Sequence, residues 1–132
     1  MNETFRAGDK IDALCIDDDK TAHEILVLFL ADQYTIDFAL TAHDALGMTA
    51  AKKYSIIFLD INLGRDVMNG LEFLKILRQN PDYYHVPVIA FTAYAWLGDK
   101  ETFLSAGCDH YLAKPFSKAN LMQVIAEVIQ KK

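Results

Sequence analysis

Cysteine is scarce in this chain: Cys15 and Cys108 are its two thiols in 132 residues. One lies inside an apolar run and the other just after a helical pattern. They read as reduced side chains of a cytosolic protein, not as a disulfide framework. His23, His43, His85 and His110 are scattered, so no Cys/His spacing of a metal site occurs. Positive charge is also short, with 13 Lys and Arg against 18 Asp and Glu, a net charge of −5. That balance argues against non-specific nucleic-acid binding, which needs a basic face. No apolar stretch approaches a membrane span, and the first ten residues lack the apolar core of a signal peptide. Repeats and low-complexity segments are missing too. The expected setting is therefore cytoplasmic, with no nucleic-acid or membrane partner. What is present is a chain of single-domain length that is 52% hydrophobic, enough for a packed core. Residues 1–9 read as a short polar lead-in and residues 10–132 as one domain.

Apolar runs alternate with helical patterns along this domain. The run Ile11-Asp12-Ala13-Leu14-Cys15-Ile16 ends in Asp17 and Asp18. Ser55-Ile56-Ile57-Phe58-Leu59 ends in Asp60, Val86-Pro87-Val88-Ile89-Ala90-Phe91 in Thr92, and Asp109-His110-Tyr111-Leu112-Ala113 in Lys114-Pro115. Such runs are the mark of parallel strands buried on both faces. Strands are expected over residues 11–16, 34–39, 55–59, 86–91 and 110–112. Residues 34–39 alternate and hold β-branched side chains, which suits an edge strand. Helices are expected over 20–31 with Asp19 as N-cap, over 41–53 opening on Thr41 and Asp44, and over 70–78 with Pro81 as the stop. A fourth spans 95–106, with Gly107 at C′. The last starts near Ser117 and carries the stripe Leu121, Val124, Ile125, Val128 and Ile129. Gly47 weakens the second helix.

Strand–helix alternation predicts an α/β fold: a five-stranded parallel sheet, doubly wound with five helices and flavodoxin-like. The common order for five strands is 2-1-3-4-5, with the switch point between strands one and three. Asp17, Asp18 and Asp60 meet there, and Thr92 and Lys114 end the strands beyond. Two like charges about 5 Å apart at an effective dielectric of about 20 repel by roughly 3 kcal/mol, so three carboxylates resist joint ionisation. A divalent cation removes that repulsion, and Mg²⁺ favours hard oxygen ligands and retained waters. By themselves, Asp17 to Asp19 read equally well as a solvated loop and helix cap. Thr92 alone reads as a strand-end or N-cap residue, and Lys114 as an exposed lysine before a turn, whose bond to Pro115 is a candidate cis peptide. Asp60 is the best nucleophile candidate, because a carboxylate can accept a phosphoryl group as an acyl phosphate.

The motifs Ile16-Asp17-Asp18, Phe58-Leu59-Asp60, Phe91-Thr92-Ala93 and Tyr111-Leu112-Ala113-Lys114-Pro115-Phe116, in this order at strand ends, resemble the receiver domain of two-component response regulators. The likeness runs from about Lys10 to the end of the chain. The bacterial chemotaxis regulator exemplifies the same strand order, so the topology rests partly on the resemblance. The resemblance implies that Asp60 is the phosphoacceptor and that Asp18 ligates Mg²⁺ directly, Asp17 mainly through water. It implies that the backbone carbonyl of Asn62 and Asp60 itself complete the protein's share of the metal shell. Thr92 would be the switch hydroxyl, Tyr111 the switch aromatic, and Lys114 the partner of the phosphoryl group. The implied donor is a sensor histidine kinase or a phosphotransfer protein. The implied output is a downstream protein read by the fourth helix, fifth strand and last helix, with a phosphorylation-dependent dimer among the expected assemblies. No DNA-binding segment follows the last helix, so a single-domain regulator or relay intermediate is expected unless the chain is part of a longer protein.

One stretch departs from the family pattern. Residues 62–70 form a loop that is longer by two residues than usual and lacks the usual proline, which bears on kinase docking and phosphoryl lifetime. Tyr94, beside the site, is expected to hinder attacking water, and Tyr94, Trp96 and Leu97 form an apolar cluster that is either core or partner surface. Three rival readings stand beside this one. An aspartyl-phosphate phosphatase would need a second acid where Asp60-Ile61-Asn62 has none. A pseudo-receiver that never carries phosphate fits poorly with an intact Asp17, Asp18, Asp60, Thr92 and Lys114 set. A flavodoxin-like electron carrier would place a flavin phosphate against Asp17-Asp18-Asp19, which repels it.

Overall fold

Side chains alternate across a strand, so a parallel strand between two helical layers must be apolar at every position. The computed structural model of the chain describes residues 10–61, 70–92 and 104–130. Its strands are β1 (Ile11–Ile16), β2 (Tyr34–Ala39), β3 (Ile56–Asp60), β4 (Val88–Thr92) and β5 (His110–Ala113). All neighbouring pairs are parallel, in the order β2-β1-β3-β4-β5, as expected from the sequence. Every residue of β3 and β4 is buried.

The helices are α1 (Lys20–Leu30), α2 (Ala42–Ala51), α3 (Gly70–Leu77) and α4 (Lys118–Gln130), the last of which is the final helix of the sequence reading. Leu14, Ile16, Ile57, Leu59, Val88 and Ala90 pack with Ala42 and Ala45 of α2 and Phe73, Leu74 and Leu77 of α3. The alternate residues Ala13, Cys15, Ile56, Phe58, Ile89 and Phe91 pack with α1 and with Leu121, Val124, Ile125 and Val128 of α4. These two cores, one on each face, explain the unbroken apolar runs. The helix expected over 95–106 falls largely outside the described residues; its last turn is helical at Leu104 and Ser105. Gly107 follows with φ 113°, the left-handed conformation of a C′ glycine.

Capping follows the sequence. The Asp19 side chain accepts from the Thr21 N–H at 2.9 Å, and the Thr41 hydroxyl accepts from the Asp44 N–H at 3.0 Å. The Ser117 hydroxyl accepts from the Asn120 N–H at 3.0 Å. Most boundaries shift by one or two residues, and two of the shifts have a clear cause. β4 starts at Val88 and not at residue 86: Pro87 has no N–H to donate, and the Val86 carbonyl is taken by the Arg78 guanidinium at 2.8 Å. β3 extends to Asp60, which pairs in register with Phe91, so Asp60 lies on the strand itself. A short 3₁₀ turn, Pro81–Tyr83, capped by the Asn80 side chain, was not foreseen.

The end of the sheet away from Asp60 is clamped by polar groups. Arg78 donates to the carbonyls of Tyr83, Val86 and Gly107 and to Asp109 Oδ2 at 3.0 Å. Asp109 Oδ2 also accepts from the Val88 N–H at 2.8 Å. The Tyr83 hydroxyl donates toward the carbonyls of Thr49 and Lys52 and accepts from the Tyr54 N–H. Burial pushes the Tyr54 hydroxyl pKa up, and its hydrogen bond to Asp37 adds to the rise. No helix among the described residues is long and apolar enough to cross a membrane.

Two stability predictions follow from this packing. Gly47 sits in α2 with open space where a Cβ would go, so Gly47→Ala stabilises the protein by about 1 kcal/mol; urea unfolding measures it. Arg78→Met takes the guanidinium away from the largely buried Asp109 carboxylate and from three carbonyls. It should cost about 3–5 kcal/mol, read from the same unfolding midpoint.

Candidate functional site

Main-chain hydrogen bonds carry β1, β3 and β5 one residue past their ends, and this sets the site residues against their neighbours. The Asp17 N–H donates to the Ala39 carbonyl at 3.1 Å, the Ile61 N–H to Phe91 at 3.1 Å, and the Lys114 N–H to Thr92 at 2.7 Å. Asp17, Asp60, Thr92 and Lys114 therefore lie along one edge of the sheet, at the carboxyl ends of its strands. Phe116 holds the segment beyond Lys114 in place: its ring packs 4.9 Å from Phe91 and 6.4 Å from Phe29. The Lys114–Pro115 peptide is cis, as the sequence reading raised.

Asp17 is fully buried, Asp60 is 6% exposed and Asp18 is exposed. One carboxylate oxygen from each lies within 4.8 Å of the others, an arrangement that could hold a metal ion. Asp17 is already engaged on both oxygens. Oδ1 accepts from the Asp19 N–H at 2.9 Å, and Oδ2 from Lys114 Nζ at 2.6 Å. Lys114 Nζ also lies 3.6 Å from Asp60 Oδ2, so one ammonium bridges two buried carboxylates. Burial alone would lower the Lys114 pKa. The hydrogen bond to Asp17 and the charge of Asp60 outweigh it and hold the pKa above its usual value. The site lysine is thus a cation throughout the physiological range.

Asp18 behaves in the opposite way. Partial burial, then the Asp17 charge, raise its carboxyl above the ordinary range, with Lys114 only partly offsetting them. Hard oxygens with excess negative charge are the donor set that a small divalent cation satisfies. Thr92 is the buried last residue of β4. Tyr111, on β5 in register with Ala90, is half-buried and packs against the core on the α2–α3 face. The Asn62 carbonyl, Tyr94, Trp96, Leu97 and the long loop over 62–69 lie outside the described residues. Cys15, beside the site, is no candidate nucleophile: burial, then the Asp17 charge, push its thiol far up. Burial pushes Cys108 up to about 12.

The response regulator receiver domain family matches residues 13–126. The chain belongs to that family. Polar-differentiation response regulator DivK of Brucella ovis is 38% identical over 71 residues, 54% of this chain and 56% of that protein. The chain thus spans about half the length of the curated relatives it matches. The receiver domain of a sensor histidine kinase from Pseudomonas aeruginosa superposes with a TM-score of 0.81 and 28% identity, covering 92% of this chain and 99% of that one. That protein holds a magnesium ion in its active site cleft. A Francisella response regulator receiver domain gives a TM-score of 0.78 and 30% identity over 93% of this chain and all of that chain.

Sequence reasoning gathered Asp17, Asp18, Asp60, Thr92 and Lys114 at this edge but missed Gly70. Gly70 was placed where the 62–70 loop meets the helix over 70–78; a glycine opening an apolar helix ten residues after a strand-end acid was the available signal.

The raised Asp18 pKa has a signed consequence. A carboxyl that binds its proton more tightly folded than unfolded favours the folded state below its unfolded pKa, and loses that contribution as pH rises through the folded value. In the absence of metal, Asp18→Asn should therefore stabilise the protein at neutral pH, seen as a higher melting temperature. Metal binding needs the ionised form, so Mg²⁺ affinity measured by calorimetry should fall as pH drops from about 7 to 4.

Proposed function

We propose that this chain takes a phosphoryl group from a phosphohistidine onto Asp60 in a Mg²⁺-dependent reaction, and that the modification alters a surface read by a partner protein. The strongest support is the convergence of Asp17, Asp18 and Asp60 with the Lys114 ammonium, in a chain of the receiver family. The carboxylate oxygens fit Mg²⁺, a hard cation. Asp18 and Asp60 would hold it directly. Asp17 would act mainly through water, since its two oxygens already accept from Asp19 and Lys114. The Asn62 carbonyl belongs to the same proposed shell. When bound, the ion supplies positive charge against the phosphoryl oxygens.

The chemistry is a single displacement. An Asp60 carboxylate oxygen attacks phosphorus, the P–N bond to the donor imidazole breaks, and the ring nitrogen leaves with the electron pair. The product is an acyl phosphate. Lys114, held as an ammonium, pairs with one phosphoryl oxygen, and the Thr92 hydroxyl donates to another. Thr92 and Tyr111 then form the switch: Tyr111 turns inward as Thr92 moves toward the phosphoryl group, so phosphorylation biases two packings of this region. The chain is a phosphoacceptor that assists its own phosphorylation and dephosphorylation, and it does not turn over an external substrate.

The donor in this reading is a sensor histidine kinase or phosphotransfer protein. In this reading the output surface combines the helix expected over 95–106, most of which lies outside the described residues, with β5 and α4, and a phosphorylation-dependent dimer is among the assemblies. The setting is cytoplasmic, and residues 10–132 act as the receiver unit.

Intact mass after incubation with acetyl phosphate tests the reading. With Mg²⁺ the mass should rise by one phosphoryl group, and the adduct should be base-labile. Asp60→Asn, or chelation of the metal, should abolish it. A wild-type protein left unlabelled beside a labelled control receiver would overturn the proposal.

A further inference from the structure

Gly70, the first residue of α3, is pressed against the last residues of β3. A Cβ built on it would lie 2.7 Å from the Asp60 carbonyl oxygen and 3.0 Å from both the Cα and the carbonyl oxygen of Ile61. All three neighbours are main-chain atoms, so no rotamer change can make room. Gly70 does not have positive φ, unlike Gly107; what the position demands is space. The Gly70 N–H donates toward the Ile61 carbonyl at 3.4 Å, while the Ile61 N–H donates to Phe91 at 3.1 Å. The main chain following Asp60 is therefore held from two sides, by α3 and by β4.

We infer that Gly70 is a positioning residue for the phosphoacceptor: its missing side chain lets α3 brace the Asp60–Ile61 main chain, and that brace aims the Asp60 carboxylate. The inference rests on Asp60 being the acceptor. A methyl at Gly70 must push α3 away from β3 or tilt the peptide behind Asp60. Either movement shifts a carboxylate that has to meet phosphorus in line, and displacements of about 1 Å can cost about 100-fold in rate. The contrast within the molecule is Gly47, where a Cβ meets nothing within 4 Å.

The test places Gly70→Ala in a Gly47→Ala background, whose extra helix stability favours folding, and compares it with the Gly47→Ala parent and with Asp60→Asn. Labelling by acetyl phosphate at saturating Mg²⁺ is followed by intact mass, and circular dichroism gives the folded fraction. The rate constant per folded molecule should fall between about 10- and 100-fold. A merely structural glycine would lower the melting temperature and leave that rate constant unchanged; equal rates would overturn the inference while leaving Asp60 as acceptor. An unlabelled parent would instead remove the reading beneath it. Should Gly70→Ala not fold, hydrogen exchange of the wild type decides. Protection of the Gly70 amide rises on phosphorylation if the brace couples to Asp60, and unchanged protection overturns it.

Discussion

The Lys114 ammonium stands between two buried carboxylates, 2.6 Å from Asp17 and 3.6 Å from Asp60. The other features of the site follow from that contact. A lysine at the end of β5 reaches an acid at the end of β1 because strands β1, β3, β4 and β5 finish on the same side of the sheet. Uncompensated, Asp17 at full burial would be very costly. Three acids against one ammonium still leave negative charge over. Both Asp17 oxygens are engaged, and the exposed Asp18 stands beside that buried charge. The raised Asp18 pKa reflects that excess: burial and the Asp17 charge both favour its proton. A divalent cation answers the remaining charge without disturbing the lysine's role as a permanent positive group.

The site was legible because its residues terminate apolar runs, and a parallel sheet brings such ends together whatever the loops do. The two cores were legible for a related reason. Runs such as Ile56-Ile57-Phe58-Leu59 have no polar alternation, so both faces had to be covered, and they are. Arg78 was not legible. Its partners lie 5, 8, 29 and 31 residues away in sequence and are mostly carbonyls, which every residue has. Periodicity shows which face a residue occupies; it does not show which main-chain oxygen a guanidinium will reach. The start of β4 was misplaced for the same reason, since Val86 extends the apolar pattern while its carbonyl belongs to Arg78. Gly70 escaped because a close backbone approach leaves no compositional trace other than the glycine itself.

The two ends of the sheet divide the work between stability and chemistry. At the far end, Arg78 uses its planar fork on four partners, and Asp109 answers both Arg78 and the Val88 N–H. Tyr83 joins α2 to the segment entering β3 in the same fully bonded way. Among the described residues there, the polar groups of Arg78, Asp109 and Tyr83 bond to one another and to the main chain. At the near end the acids are compensated only in part. A small charge arriving there changes the energy of Asp18, Asp60 and Lys114 together, whereas the same charge at the far end would meet closed hydrogen bonds. Rigid strands connect the ends, so the near end can remain electrostatically unsettled without loosening the fold. The braced main chain behind Asp60 belongs to the same logic: the carboxylate sits among like charges at the near end while its backbone is held by β4 and α3.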